Sequence, residues 1–200
     1  MPTFSWPSDP IESVQAFEKR HHDGEASALL VWAASGVDAL YYLCDLDLEF
    51  SSSTSTLRSH HGDMVDVAHA RWATSTCITS LDLCAAAFGR VFCGRRTRPE
   101  LALGAFDPAS KSKGAPSLRA KLPPAALAWT KAVFSDPQYA EIKLARNSLT
   151  HGRLLRHFGL SSRIHLEVGA RKIEVSEVIE ASRDLSARHI SSLFSILPAL

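Results

Sequence analysis

Two long stretches constrain this chain more than anything else in it. Over Glu25–Asp47, apolar residues recur three and four apart at Leu29, Trp32, Ala33, Val37, Leu40, Tyr41 and Cys44. The same spacing returns from the Asp63 region to about Phe92, through Val67, Trp72, Ile78, Leu81, Cys84, Ala85 and Phe88. A period near 3.6 is the signature of a helix that buries one face, and runs this long commit the fold to helix-on-helix packing. The Trp and Tyr side chains of the first run belong, on this spacing, to the core. Between the two runs, Ser51–Ser59 (S-S-S-T-S-T-L-R-S) is low in complexity and polar, and reads as an exposed loop.

Start and stop signals extend the pattern. Asp9-Pro10 and Asp136-Pro137 each place a capping carboxylate before a proline at the first helical position, and Pro123-Pro124 opens another helix through Phe134. The first of these helices, about Pro10–His21, is short and peripheral. Gly94 stops the second long helix, followed by Arg95, Arg96 and Arg98. Residues 94–123 show no helical period apart from one short turn at Glu100–Ala105 and read as a flexible basic connection. Two readings stay open for it: a solvated linker, or a guide for RNA through phosphate contacts at residues such as Arg95 and Arg96. After Gly159 the period changes to two: Arg163–Val168 and Arg171–Val175 flank Gly169-Ala170 as a small β-hairpin. Ser176 then caps a final helix to about Leu197. The expectation is one mainly all-α domain over residues 1–200, an up-and-down bundle of four to five major helices with a two-stranded insertion.

Composition excludes little by itself, because a net charge of +1 favours neither nucleic acid nor membrane. Its distribution says more. Residues 1–70 carry eleven acidic and three basic side chains, a balance of −8; residues 90–157 carry thirteen basic and four acidic, a balance of +9. Such a split serves an electrostatic match between parts of one chain or between copies, and equally a basic face for a polyanion. Met1–Pro10 is polar and lacks the apolar segment of an export signal, and Ala28–Cys44, broken by Ser35, Gly36 and Asp38, is short for a membrane span. Cys44, Cys77, Cys84 and Cys93 form no C-x-x-C pair, and Cys77 and Cys84, seven apart on one helix face, read as small buried hydrophobes. A reduced, cytoplasmic protein with no membrane partner is expected.

Two clusters carry chemistry. Asp63, Asp66 and His69, three apart in a starting helix after His60-His61, have the side-chain types of a metal site but match no fixed ligand spacing, and first-turn aspartates suit the helix dipole. No metal and no cofactor are expected. The second cluster is Ala145–Phe158, A-R-N-S-L-T-H-G-R-L-L-R-H-F, which follows the helical run launched by Asp136-Pro137. Asn147 and His151, four apart, share a helix face; Arg146 and His151, five apart, lie about 140° round the axis and converge through the reach of arginine or the loosening at Gly152. An imidazole exchanges protons near neutrality, and a guanidinium is a permanent forked donor for phosphate. Together they can deprotonate a hydroxyl beside a phosphodiester and hold the charge that develops.

Arg146-Asn147-Ser148-Leu149-Thr150-His151 resembles the R-x(4–6)-H signature of the HEPN superfamily, which sits near the start of a late helix in a helical domain. The resemblance implies a metal-independent endoribonuclease with no cofactor. His151 would act as general base or acid on a ribose 2′-hydroxyl, Arg146 would stabilise the phosphorane-like transition state, and Asn147 would orient one of them. Arg153 and Arg156 would extend an RNA-facing patch, or serve only as a helix end. It further implies a homodimer with two motifs facing one cleft, and a toxin or anti-phage role beside an antitoxin or other protein partner. The alternative is a catalytically silent HEPN-like helical module that dimerises or binds a protein or nucleic-acid partner.

Overall fold

The structure is a computed structural model that describes residues 4–52, 56–94, 103–111, 114–150, 165–168 and 171–200, with backbone alone at 56–61 and 63. Seven α-helices and one antiparallel hairpin lie among the described residues: α1 (Pro10–His21), α2 (Gly24–Ser52), α3 (Thr56–Cys93), α4 (Ala115–Arg119), α5 (Pro124–Ser135), α6 (Pro137–Thr150), β1 (His165–Val168), β2 (Arg171–Glu174) and α7 (Val175–Ile196). Short 3-10 turns occur at Gly104–Phe106 and Leu197–Ala199. This is a mainly α-helical bundle with a small hairpin before its last helix.

α2, α3 and α7 form the centre, and α6 packs on α3 and α7. Leu30, Val37 and Leu43 of α2 meet Ala73, Leu81 and Phe88 of α3 in one core with Leu185, Ile190 and Phe194 of α7. The α2–α3 approach is close where Gly36 lies against Ser80 and Thr76: a Cβ there would collide with the Ser80 hydroxyl and sit 3.3 Å from its Cβ. Outside residues 53–55, the polar Ser51–Ser59 tract is helical rather than an open loop. Its first two residues end α2 and the residues from Thr56 begin α3, so serine and threonine here extend two helices whose apolar faces are already paired further along. As a result α2 is 29 residues long, and both it and Met64–Cys93 are long and apolar enough to cross a membrane, against the expectation of a span too short. Within the bundle, half of the apolar window of α2 and two thirds of that of α3 are buried.

Not every aromatic follows its spacing. Trp32 is 66% exposed and Trp72 49%, while Tyr41 is half-buried against Phe4 and Arg183. Ala26, Ala33, Ala34 and Ala73 fill the interhelical seams, and small residues at the closest approach leave indoles at its margin. The four cysteines are buried and none is in a disulfide, and burial pushes the Cys44 thiol up to about 11 and Cys77 to about 12.

In the hairpin, Leu166 faces Ile173 and both are buried, with Val168 opposite Arg171. Glu174, not Ser176, stands at the N-terminal boundary of α7; the Ser176 hydroxyl donates to Glu174 Oε1 at 2.8 Å. Where it is described, from residue 103 on, the connection after Gly94 also departs from a solvated linker: Leu103, Phe106, Ala115, Leu118 and Leu122 are all buried. Isolated apolar residues without a period were enough to fasten it to the core.

Candidate functional site around the N-terminal turns of the motif helix

The site is built on α6. Its N-terminus is fixed by Asp136, whose Oδ1 accepts the Gln138 N–H at 2.9 Å. Oδ2 of the same carboxylate takes His189 Nε2 at 2.9 Å and an Arg188 Nη at 3.0 Å, both from α7. An ionised carboxylate can only accept, so His189 presents its Nε2–H. Burial opposes ionisation of Asp136, but these hydrogen bonds and the Arg188 charge outweigh it and hold its pKa below the ordinary value. Burial likewise holds His189 below its ordinary value, against the pull of Asp136. The backbone oxygen of His189 accepts the Trp129 indole N–H at 2.8 Å, which adds α5 to the junction. His189 is therefore a structural histidine, buried and bound through Nε2 to Asp136.

Further along α6, Tyr139, Ile142 and Ala145 turn into the core, and Lys143 and Leu144 face outward. Arg146 is half-buried, and its Nε is a buried donor with no hydrogen-bond partner among the described residues. Opposite it on α3 stands Asp82, which sequence reasoning passed over. Burial pushes the Asp82 carboxyl up to about 6, against the Leu103 N–H that it accepts at 3.3 Å and the positive charges of Arg146 and Lys143. Burial also raises the Tyr139 hydroxyl, as do the carboxylates of Asp82 and Asp107. Arg146, Asp82 and Tyr139 thus form one electrostatic group beneath the outer face of α6.

On that outer face lies a cleft of about 510 Å³. Lys143, Leu144 and Asn147 form one wall, Asp107, Pro108 and Ala109 the other, and Phe134 and Tyr139 the inner end. The two rings meet edge to face, 5.4 Å between centroids. The loop wall is held firmly: Phe106 is anchored in the core, the Asp107 carbonyl accepts from Arg119 at 2.6 Å, and Asp107 Oδ1 accepts the Ala109 N–H at 2.7 Å. Asp82, through Leu103, ties the start of this loop to the Arg146 group.

Of the residues expected to form the site, Arg146 and Asn147 are adjacent on α6, the first turned toward Asp82 and the second lining the cleft. His151, Arg153, Arg156, Arg95 and Arg96 lie outside the described residues. Asp107 and Asp82 are the functional candidates that the sequence did not flag, for lack of any motif; the Asp107-Pro108 dipeptide was the one local signal of a turn. In the other cluster, His69 Nδ1 lies 2.8 Å from Asp47 Oδ1, with the imidazole ring edge-on to Phe50. Asp66 is buried, and among the described residues no group of three or more His, Cys, Asp or Glu side chains gathers as a cation site. In comparisons with known proteins, no family model, no curated protein and no solved structure matches the chain.

Proposed function

We propose that the chain is a metal-independent endoribonuclease of the HEPN kind, with Arg146, Asn147 and His151 as its catalytic residues. The observation that carries this reading is the buried Nε of Arg146, which has no partner among the described residues. A buried donor without a partner costs about 1–3 kcal/mol, and a ligand that completes it is one way such a cost is offset. An arginine so placed, next in the chain to the cleft-lining amide of Asn147, is suited to a phosphodiester oxygen that gains charge during cleavage. His151, which follows Thr150 in the chain, would act as general base or acid on the ribose 2′-hydroxyl. No metal enters this chemistry, and a cyclic phosphate remains on one product. Arg153, Arg156, Arg95 and Arg96 would bind RNA phosphates, and two copies would bring two motifs to one substrate. Four buried cysteines, none in a disulfide, fit a reducing, cytoplasmic setting.

A second reading is favoured by the exposure of Trp32 and Tyr42 on α2: a helical module that acts by holding a protein partner. One experiment separates the two. Purified protein is incubated with a mixed RNA pool in excess EDTA, beside folded Arg146→Ala and His151→Ala variants. Chelator-resistant cleavage that falls by about a hundredfold or more in each variant is expected. Absent cleavage, or equal cleavage by all three proteins, sinks the nuclease reading.

A further inference from the structure

The cleft beside Asn147 has a chemistry that phosphate binding does not explain. Its wall on α6 offers donors: the Lys143 ammonium and, one turn on, the Asn147 amide. Its loop wall offers an acceptor, the Asp107 carboxylate, which would repel a phosphate. Oδ1 of that carboxylate is oriented by the Ala109 N–H and Arg119 pins the loop beneath it, so the acceptor is fixed before any ligand arrives. Phe134 and Leu144 supply apolar surface at the inner end and rim, where a flat ring can lie.

Few groups in RNA match a carboxylate facing donors across an apolar floor. Uracil sets its single N–H between two carbonyls that a carboxylate would repel. Adenine and cytosine each place an acceptor nitrogen beside their amino group. Guanine alone offers two adjacent donors, N1–H and the 2-amino group, together with the O6 and N7 acceptors. We propose that this cleft holds an unpaired guanine of an RNA strand, its N1–H and 2-amino group on Asp107 and its O6 toward Lys143 and Asn147. The base must be single-stranded, because that edge is hidden in a duplex. The inference rests on the nuclease reading for its setting. It adds that the strand is cut at a constant, short distance from a guanine, because Asn147 belongs to the cleft wall and Arg146 is its neighbour in the chain.

The test uses fluorescent 2′-O-methyl pentanucleotides, which lack the nucleophile that the proposed cleavage needs. They carry G, inosine, A or U at the centre of a U context and are titrated into the full-length chain. The G probe should bind at least about tenfold tighter than A or U, and inosine, without the 2-amino group, should lose most of that advantage. Asp107→Asn should abolish the preference while leaving the A probe little changed. Ala140→Phe, a change at an exposed cleft position away from the core, should block the G probe in a protein with unaltered circular dichroism. Equal affinity for the four probes, or a guanine preference that survives both variants, overturns the proposal. Mapping cleavage sites on an unmodified RNA then keeps the two readings apart. A guanine preference in a protein that cuts nothing upholds the cleft and removes the nuclease; cutting by a protein indifferent to the four probes does the reverse.

Discussion

Asp82 shows how one side chain can serve a site at the expense of stability. Its carboxyl titrates near 6 in the folded protein against an ordinary value of 3.8. Between about pH 4 and 6 the folded chain keeps a proton that the unfolded chain has released, so stability falls as pH rises through that window and the loss is complete above it. Asp82→Asn keeps an acceptor for the Leu103 N–H and removes the titration. Its advantage over wild type in urea unfolding should grow by about 1–2 kcal/mol from pH 4 to pH 7.5, allowing for solvent screening; parallel curves would refute the burial argument. Arg146→Lys preserves the charge that faces Asp82 but not the planar fork. Stability should hold within about 1 kcal/mol while RNA cleavage drops about a hundredfold. A variant that cuts RNA normally would remove Arg146 from the chemistry. Of this group only Arg146 and Asn147 were legible in the sequence, because they sit in a motif. A lone aspartate in the middle of an apolar helix has no spacing that announces which loop it will meet.

At the scale of elements, α6 is placed by the residue that precedes it. Asp136 joins its own helix to α7 through His189 and Arg188, and Trp129 brings in α5. His189→Ala should cost about 1–3 kcal/mol, read from chemical denaturation, since it leaves part of a half-buried carboxylate unserved. The sign with pH follows from two lowered pKa values. The unfolded chain takes up a proton on its free histidine below about 6.5, and on Asp136 below about 3.8, while the folded protein resists both. Stability from the pair is therefore present at neutrality and drains on acidification, first through His189; the variant should show a flatter melting-temperature profile between pH 7 and 5. Gly36 is the other decisive position, and Gly36→Ala should destabilise by about 1–3 kcal/mol through contact with Ser80. Helix starts were the most legible elements, since Asp9-Pro10 and Asp136-Pro137 each combine a cap with a fixed φ. The Leu103–Leu122 segment was not, because its anchors are single residues with no repeat.

The whole molecule was readable as a helical bundle from periodicity, but not which face of α2 would remain outside. Leu, Ala and Trp have similar weight in a periodic pattern, and only packing decides that alanines take the seam while Trp32 and Trp72 stay at the surface. On the same scale, the charge split of −8 and +9 predicts RNA affinity that is strongly dependent on salt. Two to three phosphate contacts on a single strand should weaken binding about tenfold between 50 and 200 mM salt; a flat response would turn attention to a protein partner. The seating of Trp129 also has a spectroscopic consequence. Its indole lies edge-on to Phe88, 5.7 Å between centroids, and is hydrogen-bonded to the backbone of α7. Trp6, Trp32 and Trp72 are more exposed and can be changed to phenylalanine. The remaining fluorophore then emits from a dry site at the α5–α7 contact, next to the junction that holds the motif helix. A red shift of its emission on acidification, ahead of any loss of helical signal, would time the release of that junction without a label.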